Sequence, residues 1–246
     1  MNPLKLEVCF SPIQFPLFQT DDKIVVVVDI LRATTVITTM FINGVNKVIP
    51  VKTIEEAKEL KKTGLLVVAE RDGQKLDFAD FGNSPFYFTK EVVENKTLVY
   101  STTNGTNALT LGLNSNKVIV GSFLNISSIV EYLNKSLTDV IILCAGWKDR
   151  FSLEDCLFAG ALTKKLLEAG CFYTKCDSAN ASVDLWEKAQ ENLDAYLEKV
   201  AQKHRLQKLG LHNVIPYCFE HDKTNLIPYL CLEKDKLKEN LPYLIV

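Results

Sequence analysis

The sequence is poor in arginine and histidine and carries almost no net charge. Of its 28 basic residues only four are arginine, Arg32, Arg71, Arg150 and Arg205, and 30 acidic residues leave a net charge of −2. That balance gives no electrostatic footprint for nucleic acid or for an anionic membrane. The apolar run 24–28 is far too short to span a bilayer. The residues around it lack the basic, apolar, small-residue order of a signal peptide. Cytoplasmic residence, without a membrane partner, is the expectation. The seven cysteines include no Cys-x-x-Cys pair, and no histidine stands at zinc-finger spacing from Cys171 and Cys176. They read as reduced thiols that pack as small hydrophobes. His204, His212 and His221 come late and unpaired. Gly-x-Ser-x-Gly, Gly-x-Gly-x-x-Gly and the Walker Gly-Lys-Ser/Thr are all missing, which removes the serine-hydrolase elbow, the dinucleotide fingerprint and the P-loop.

What remains is an ordinary globular composition, 47% hydrophobic and 24% charged over 246 residues. A chain of this length buries roughly 70–75% of its unfolded surface and needs no disulfide or metal staple. Residues 1–246 read as a single α/β unit, with two tightly packed lobes left open. Strand signals fall at 24–28, 45–51, 65–69, 97–101, 117–121 and 140–144. Most are continuous apolar runs, as for strands buried on both faces. Helical patterns lie between them, at 53–62, 104–111, 125–137 and 153–169. Thr53 with Glu56 makes a capping box, and Gly64 and Gly170 are stops. The alternation predicts a layered α/β/α fold with a largely parallel or mixed sheet. The last third predicts one long amphipathic helix over 184–206. After it, short pieces punctuated by Pro216, Pro228 and Pro242 form a cap or short edge strands.

In open α/β sheets ligands bind beyond the carboxyl ends of the strands, and four such loops are unusually polar. The first is Asp29-Ile-Leu-Arg32-Ala-Thr34-Thr35. A carboxylate ending a buried strand is costly without a metal, a cation or a helix N-terminus. Asp29 is therefore a candidate metal ligand or nucleophile and Arg32 an anion contact, unless the two simply pair with each other. Thr34 or Thr35 caps the following helix and offers donors to an anion. The second, Glu70-Arg71-Asp-Gly73, repeats the acid and arginine at a strand end; the plain alternative is a turn around Asp72-Gly73 with a surface ion pair. The third, Ser101-Thr102-Thr103-Asn104-Gly105-Thr106, reads as an anion cradle. The turn Gly82-Asn83-Ser84-Pro85 is a weaker version upstream. The fourth runs from Cys144 through Gly146 to Arg150 and on to Glu154 and Asp155. Cys-x5-Arg is the skeleton of thiol phosphatases, but Asp149 inside the loop would repel a phosphate. Glu154 and Asp155 either ligate a hard cation or satisfy a helix dipole. Several carboxylates, three arginines and a hydroxyl-rich cradle suit Mg²⁺ beside a doubly anionic substrate, and phosphoryl transfer fits that inventory.

These segments, in this order and together with Phe81-Gly-Asn-Ser-Pro85 and Ala159-Gly160, resemble the 2-phosphosulfolactate phosphatase family. The likeness covers about the first two-thirds of the chain. It thins around Gly210, where an acidic residue is expected and none follows until Glu220. The resemblance implies Mg²⁺-dependent hydrolysis of 2-phospho-3-sulfolactate to sulfolactate and phosphate, on the route to coenzyme M. It favours Arg32, Arg71 and Arg150 as anion contacts. The resulting assignment puts Asp29, Arg32, Glu70 and Arg71 at the chemistry and Asp29, Glu70 and Asp155 on the metal. Substrate binding falls to Thr34, Thr35, Asn83, Ser84, Thr102, Thr103, Asn104, Gly105, Thr106, Gly146 and Arg150. A phosphoaspartyl route through Asp29 would want a second acid where Leu31 stands. A Cys144 thiol phosphatase and a non-catalytic binder of small sulfonated or phosphorylated acids are the rivals. The expected partner is a small anionic phosphoester, with homo-oligomerisation left open.

Overall fold

The computed structural model describes residues 3–232 and 241–246. The chain opens with β1 (Leu4–Cys9), β2 (Ile24–Val28), α1 (Ala33–Ile42), β3 (Lys47–Pro50), α2 (Ile54–Lys62), β4 (Leu66–Arg71) and β5 (Gln74–Lys75). Then come α3 (Lys90–Val93), β6 (Thr97–Ser101), α4 (Gly105–Leu111), β7 (Lys117–Gly121), α5 (Ile126–Ser136), β8 (Val140–Cys144), α6 (Leu153–Glu168) and β9 (Phe172–Tyr173). The last third holds α7 (Asp177–Gln190), α8 (Leu193–Leu197), α9 (Ala201–Lys208), α10 (Ile215–Cys218), β10 (Tyr229–Leu232) and β11 (Pro242–Ile245).

The strands form one mixed sheet in the order β5-β4-β6-β3-β11-β10-β7-β2-β8-β1-β9. It is two parallel halves, β4-β6-β3 and β7-β2-β8-β1-β9, joined through the antiparallel hairpin β10–β11. Tyr229 meets Ile119 on one side of that hairpin and Leu244 meets Val48 on the other. Both junctions are antiparallel, so the two parallel halves run in opposite senses.

Side-chain alternation explains the layering. Val26 and Val28 of β2 face a core with α5, α6 and α7, while Val25 and Val27 face a second core containing α1 and α4. That second core also takes Val48, Val68, Leu98 and Tyr100 from the other half, so α1 and α4 are shared between the halves. Val67, Ala69 and Val99 point away from it, toward Ala57 of α2. The continuous apolar runs are thus strands covered on both sides, and each fully buried valine is worth about 1.5–3 kcal/mol. α1 is buried over nine of its ten residues, as its central position requires.

Two expectations need correction. The stretch 184–206 is three helices, not one. Asn192 leaves helical geometry and accepts a bond from Ala195 N–H, restarting the chain as α8, and Val200 is extended before α9. The helical spacing of the apolar residues survives because each short helix turns a buried face to the same core. The tail does form short strands, but β10 and β11 lie inside the sheet and not at its edge. Finally, β4 runs on through Glu70 and Arg71, two residues beyond the predicted strand.

Candidate active site

The N-terminal ends of α1 and α4, the two central helices, meet. Gly105 starts α4, and a Cβ there would overlap the Ala33 side chain and come within 3.0 Å of Asp29 Oδ2. Only glycine lets the loop after β6 approach the loop after β2 so closely. Asp29 Oδ1 accepts from Ala33 N–H at 3.2 Å, while Thr34 Oγ1 accepts from Asp29 N–H and donates to Asp29 O, both at 3.0 Å. Thr35 Oγ1 donates to Ile30 O. Both threonines are buried and hold the loop in shape; their hydroxyls are spent on backbone.

Asp29 Oδ2 accepts no hydrogen bond from the described residues. Burial is the main force lifting the Asp29 carboxyl to about 7, with Glu154 and Glu70 adding to it and the Ala33 amide and Arg32 opposing. A buried carboxylate with an open oxygen and acidic neighbours is a site that a cation would relieve. Arg32 is 3% exposed, and burial lowers its pKa below the ordinary arginine value. Its Nη2 donates to Gly73 O at 3.3 Å; among the described residues it forms no ion pair with Asp29 or Glu70. The simple Asp29–Arg32 pair is therefore not what the chain builds.

Glu70 works as a brace. Its Oε1 accepts from Thr103 N–H at 2.7 Å, and its Oε2 accepts from Gly73 N–H at 2.6 Å and Thr103 Oγ1 at 3.3 Å. Those bonds lock the β4–β5 turn to the loop after β6. Asp72 and Gly73 both take left-handed φ, of 52° and 84°, the two-residue hairpin geometry that an Asp-Gly pair favours. The turn reading is thus correct, with the ion pair running from Asp72 to Lys148 at 2.7 Å. Arg71 is a clamp. Nη1 donates to Glu70 O and Ser101 O, and Nη2 to Lys52 O and Ser101 Oγ. Four acceptors occupy its terminal nitrogens, so it ties strand ends together and does not face an anion.

The hydroxyl loop is partly self-satisfied. Thr102 and Thr106 exchange side-chain bonds, with Thr102 Oγ1 accepting from Thr106 N–H and Thr106 Oγ1 from Thr102 N–H. The N–H groups of Asn104 and Gly105 bond to no described residue. Asn104 Oδ1 accepts from Lys148 N–H at 3.0 Å, which joins this loop to the one after β8. Beside it opens a cavity of about 240 Å³ lined by Lys52, Thr102, Thr103, Asn104, Thr106 and Lys148. Lys52 and Lys148 are the cations the sequence motifs passed over. A larger cavity, about 490 Å³, lies by Lys5, Glu7 and Lys23. Its two lysines are already ion-paired to Glu7, and none of the four polar loops reaches it.

Asn83 joins the site indirectly: its Oδ1 accepts from the buried Tyr100 hydroxyl at 2.6 Å, which also lies 3.4 Å from Ala33 O. Ser84 is buried at the start of a 3-10 turn with no side-chain cap bond. Asp155 is fully enclosed. Its Oδ1 accepts from Ile30 N–H at 2.9 Å and its Oδ2 from Gly146 N–H at 3.1 Å. It therefore pins the loops after β2 and β8, and burial, with Glu154 and Asp29 nearby, pushes its carboxyl well up. Among the described residues no three acidic, histidine or cysteine side chains form a ready-made metal cage. Arg150 is exposed, with no side-chain bond to a described residue. Cys144 is 1% exposed, and burial beside Asp155 raises its thiol well above the ordinary value, which disfavours the thiolate a nucleophile needs.

Sequence reading missed the contribution of α9. Gln202 Nε2 donates to Leu31 O at 3.1 Å, the Arg205 guanidinium stacks 4.3 Å above the Trp147 ring, and Leu209 rests against Gly73. α9 and the residue that ends it therefore touch the loops after β2, β4 and β8. No local motif marks it, because Leu31, Gly73 and Trp147 are all far from it along the chain.

A family model described as 2-phosphosulpholactate phosphatase matches residues 9–233. A protein of Thermotoga maritima described as "Probable 2-phosphosulfolactate phosphatase" is 41% identical over 215 residues, covering 87% of this chain and 92% of its own. A protein of Caldanaerobacter subterraneus subsp. tengcongensis with the same description is 40% identical, with 85% and 88% coverage. Another, from Clostridium beijerinckii, is 32% identical, with 92% and 96% coverage.

Proposed function

The chain belongs to the 2-phosphosulpholactate phosphatase family and is a phosphoric monoester hydrolase, and from that premise we propose that it hydrolyses 2-phospho-3-sulfolactate, or a similarly small phosphorylated acid, to sulfolactate and phosphate. The observation that carries the reading is the meeting of α1 and α4 at Asp29, with Arg32 buried beside them. The free N–H groups of Asn104 and Gly105 would receive phosphoryl oxygens, and Arg32 would take further negative charge. Glu70, Arg71 and Asp155 hold the loops that aim those groups.

Mg²⁺ fits this donor set, since Asp29 Oδ2 is open and the acids around it repel one another. The ion keeps several waters and needs only one or two carboxylates besides substrate oxygens. Asp29 would hold it directly, and when bound it supplies charge that offsets the phosphoryl oxygens. A place on the route to coenzyme M and residence in the cytoplasm belong to the same proposal. Seven free thiols fit a reducing compartment, and among the described residues no helix is long and apolar enough to cross a membrane.

The test is phosphate release from 2-phospho-3-sulfolactate with Mg²⁺ and with EDTA, in wild type and Cys144→Ser. Release only with Mg²⁺, and within about twofold in Cys144→Ser, is expected; small conservative core changes cost little. Release that survives EDTA and vanishes in Cys144→Ser would hand the chemistry to the thiol.

Stability should report the same carboxylate. Asp29 titrates near 7 when folded and near 3.8 as an ordinary side chain, so between those values the folded chain holds the extra proton. Stability of the metal-free protein therefore falls as pH rises through that window, by a few kcal/mol. Mg²⁺ needs the ionised form and restores the loss. Its gain in Tm should be several degrees larger at about pH 8 than at about pH 5.5; equal gains at both would speak against Asp29 as the ligand.

A further inference from the structure

Arg205 is the arginine that no strand-end motif contains, yet it is held in place beside the loop after β8. Its Nη1 donates to Gln202 Oε1 at 2.9 Å, and the guanidinium carbon sits over the Trp147 ring, 4.3 Å from its centre. Gln202 in turn donates to Leu31 O, the carbonyl just before Arg32. The ring contact and one hydrogen bond fix the position of the group, while Nε and Nη2 bond to no described residue. The other cations are differently placed. Arg71 is consumed by backbone carbonyls, Lys148 is paired with Asp72 and Lys203 with Glu198. The Arg150 side chain is exposed and bonds to no described residue. A planar donor fixed before its ligand arrives loses less freedom on binding.

The rim it occupies belongs to the site. Trp147 is followed by Lys148, whose N–H binds Asn104 Oδ1, and Asn104 precedes the glycine that lies against Asp29. A phosphoryl group at α4 would leave the far end of a three-carbon acid pointing at such a rim. A sulfonate is a weakly basic anion with three oxygens, suited to a forked, weakly hydrated donor. Resting on the hydrolase reading above, we propose that Arg205, held by Trp147 and Gln202, is the specificity-determining residue that binds the sulfonate of the substrate.

A purely structural role is the rival, since Arg205 also offsets the charge of the buried Glu154 without forming an ion pair with it. The two differ in substrate selectivity. The experiment compares kcat/KM for 2-phospho-3-sulfolactate and for 2-phospholactate, which lacks the sulfonate, in wild type, Arg205→Ala, Arg205→Lys and Lys208→Ala. Calorimetric titration of each protein with 3-sulfolactate accompanies it. The ratio of the two kcat/KM values should fall roughly tenfold to a hundredfold in Arg205→Ala. It should fall less in Arg205→Lys, which keeps the charge without the fork, and stay at the wild-type value in Lys208→Ala. Equal losses on both substrates, or an unchanged ratio, overturn the proposal. If wild type hydrolyses neither ester, the substrate proposed above fails and the titration alone decides. Sulfolactate bound at least tenfold more weakly by Arg205→Ala sustains the role of Arg205; equal binding, or none by wild type, ends it.

Discussion

Asp29→Asn should abolish turnover, by a factor on the order of a thousand or more, while leaving the protein folded and, without metal, more stable above neutral pH. The side chains are isosteric, so the carbonyl oxygen of asparagine can still accept from Ala33 N–H. The amide nitrogen then replaces the open Oδ2 and presents a donor where a cation and an incoming phosphoryl group need an acceptor. Losing that ionised group removes the electrostatic stabilisation on which phosphoryl transfer depends. The stability gain follows from the same burial that lifts the wild-type carboxyl to about 7. At about pH 8 in EDTA the wild type must keep an ionised group in an acidic, desolvated pocket, and asparagine does not. Phosphate-release kinetics and thermal unfolding of both proteins test the pair of effects. Near-normal turnover in Asp29→Asn would remove Asp29 from the chemistry altogether. The opposed signs also separate this variant from one that merely unfolds, and a trade between activity and stability is common where a site holds uncompensated charge.

The largest loss of stability should come from Gly160→Ala. Gly160 lies in the middle of α6, where a Cβ would overlap the carbonyl oxygen of Ser182 on α7 and stand 2.9 Å from Trp186 Cβ. The obstacle is backbone within a helix, which cannot swing aside as a side chain does. Overpacking of this kind costs about 1–3 kcal/mol and more when the backbone must shift. At the upper end Tm falls by roughly 6–12 °C for a chain of this size. Activity should drop with it. Asp155 is less than two turns away on the same helix and pins Ile30 and Gly146. A variant that melts with the wild type would mean that α6 and α7 can separate freely, contrary to the close packing seen here.

Much of the frame was legible because it is local. The valine run of β2 and the apolar run of β8 are strands buried on both faces, and the Thr53–Glu56 capping box forms as written, each partner bonding the other's backbone. The four polar loops do sit together, tied by Thr103 to Glu70, Lys148 to Asn104 and Ile30 to Asp155. What escaped reading is set by distant contacts. Nothing near Arg71 reveals that Ser101 and Lys52 will offer it carbonyls, and nothing near Pro242 shows that its strand will be enclosed by others. The breaks at Asn192 and Val200 escaped for another reason: helical periodicity persists across them because the short helices share one core. Arg205 combined both difficulties, a long-range partner in Trp147 and a place in the region where the family likeness thins.

The hairpin that joins the two halves of the sheet has a bearing on when the protein becomes competent. The half β4-β6-β3 gathers from strands close in sequence, the other half already pairs Ile24 with Lys117 and Leu6 with Val140, and β10 and β11 follow every other strand along the chain. Contacts that distant are paid for in loop-closure entropy before they return any stability, and they tend to form late. Asp29 comes from one half and Glu70, Thr103 and Gly105 from the other. A chain whose halves have formed but not joined would therefore hold all its chemical groups and no catalyst, so that the folding step which closes the seam is also the step that switches the enzyme on.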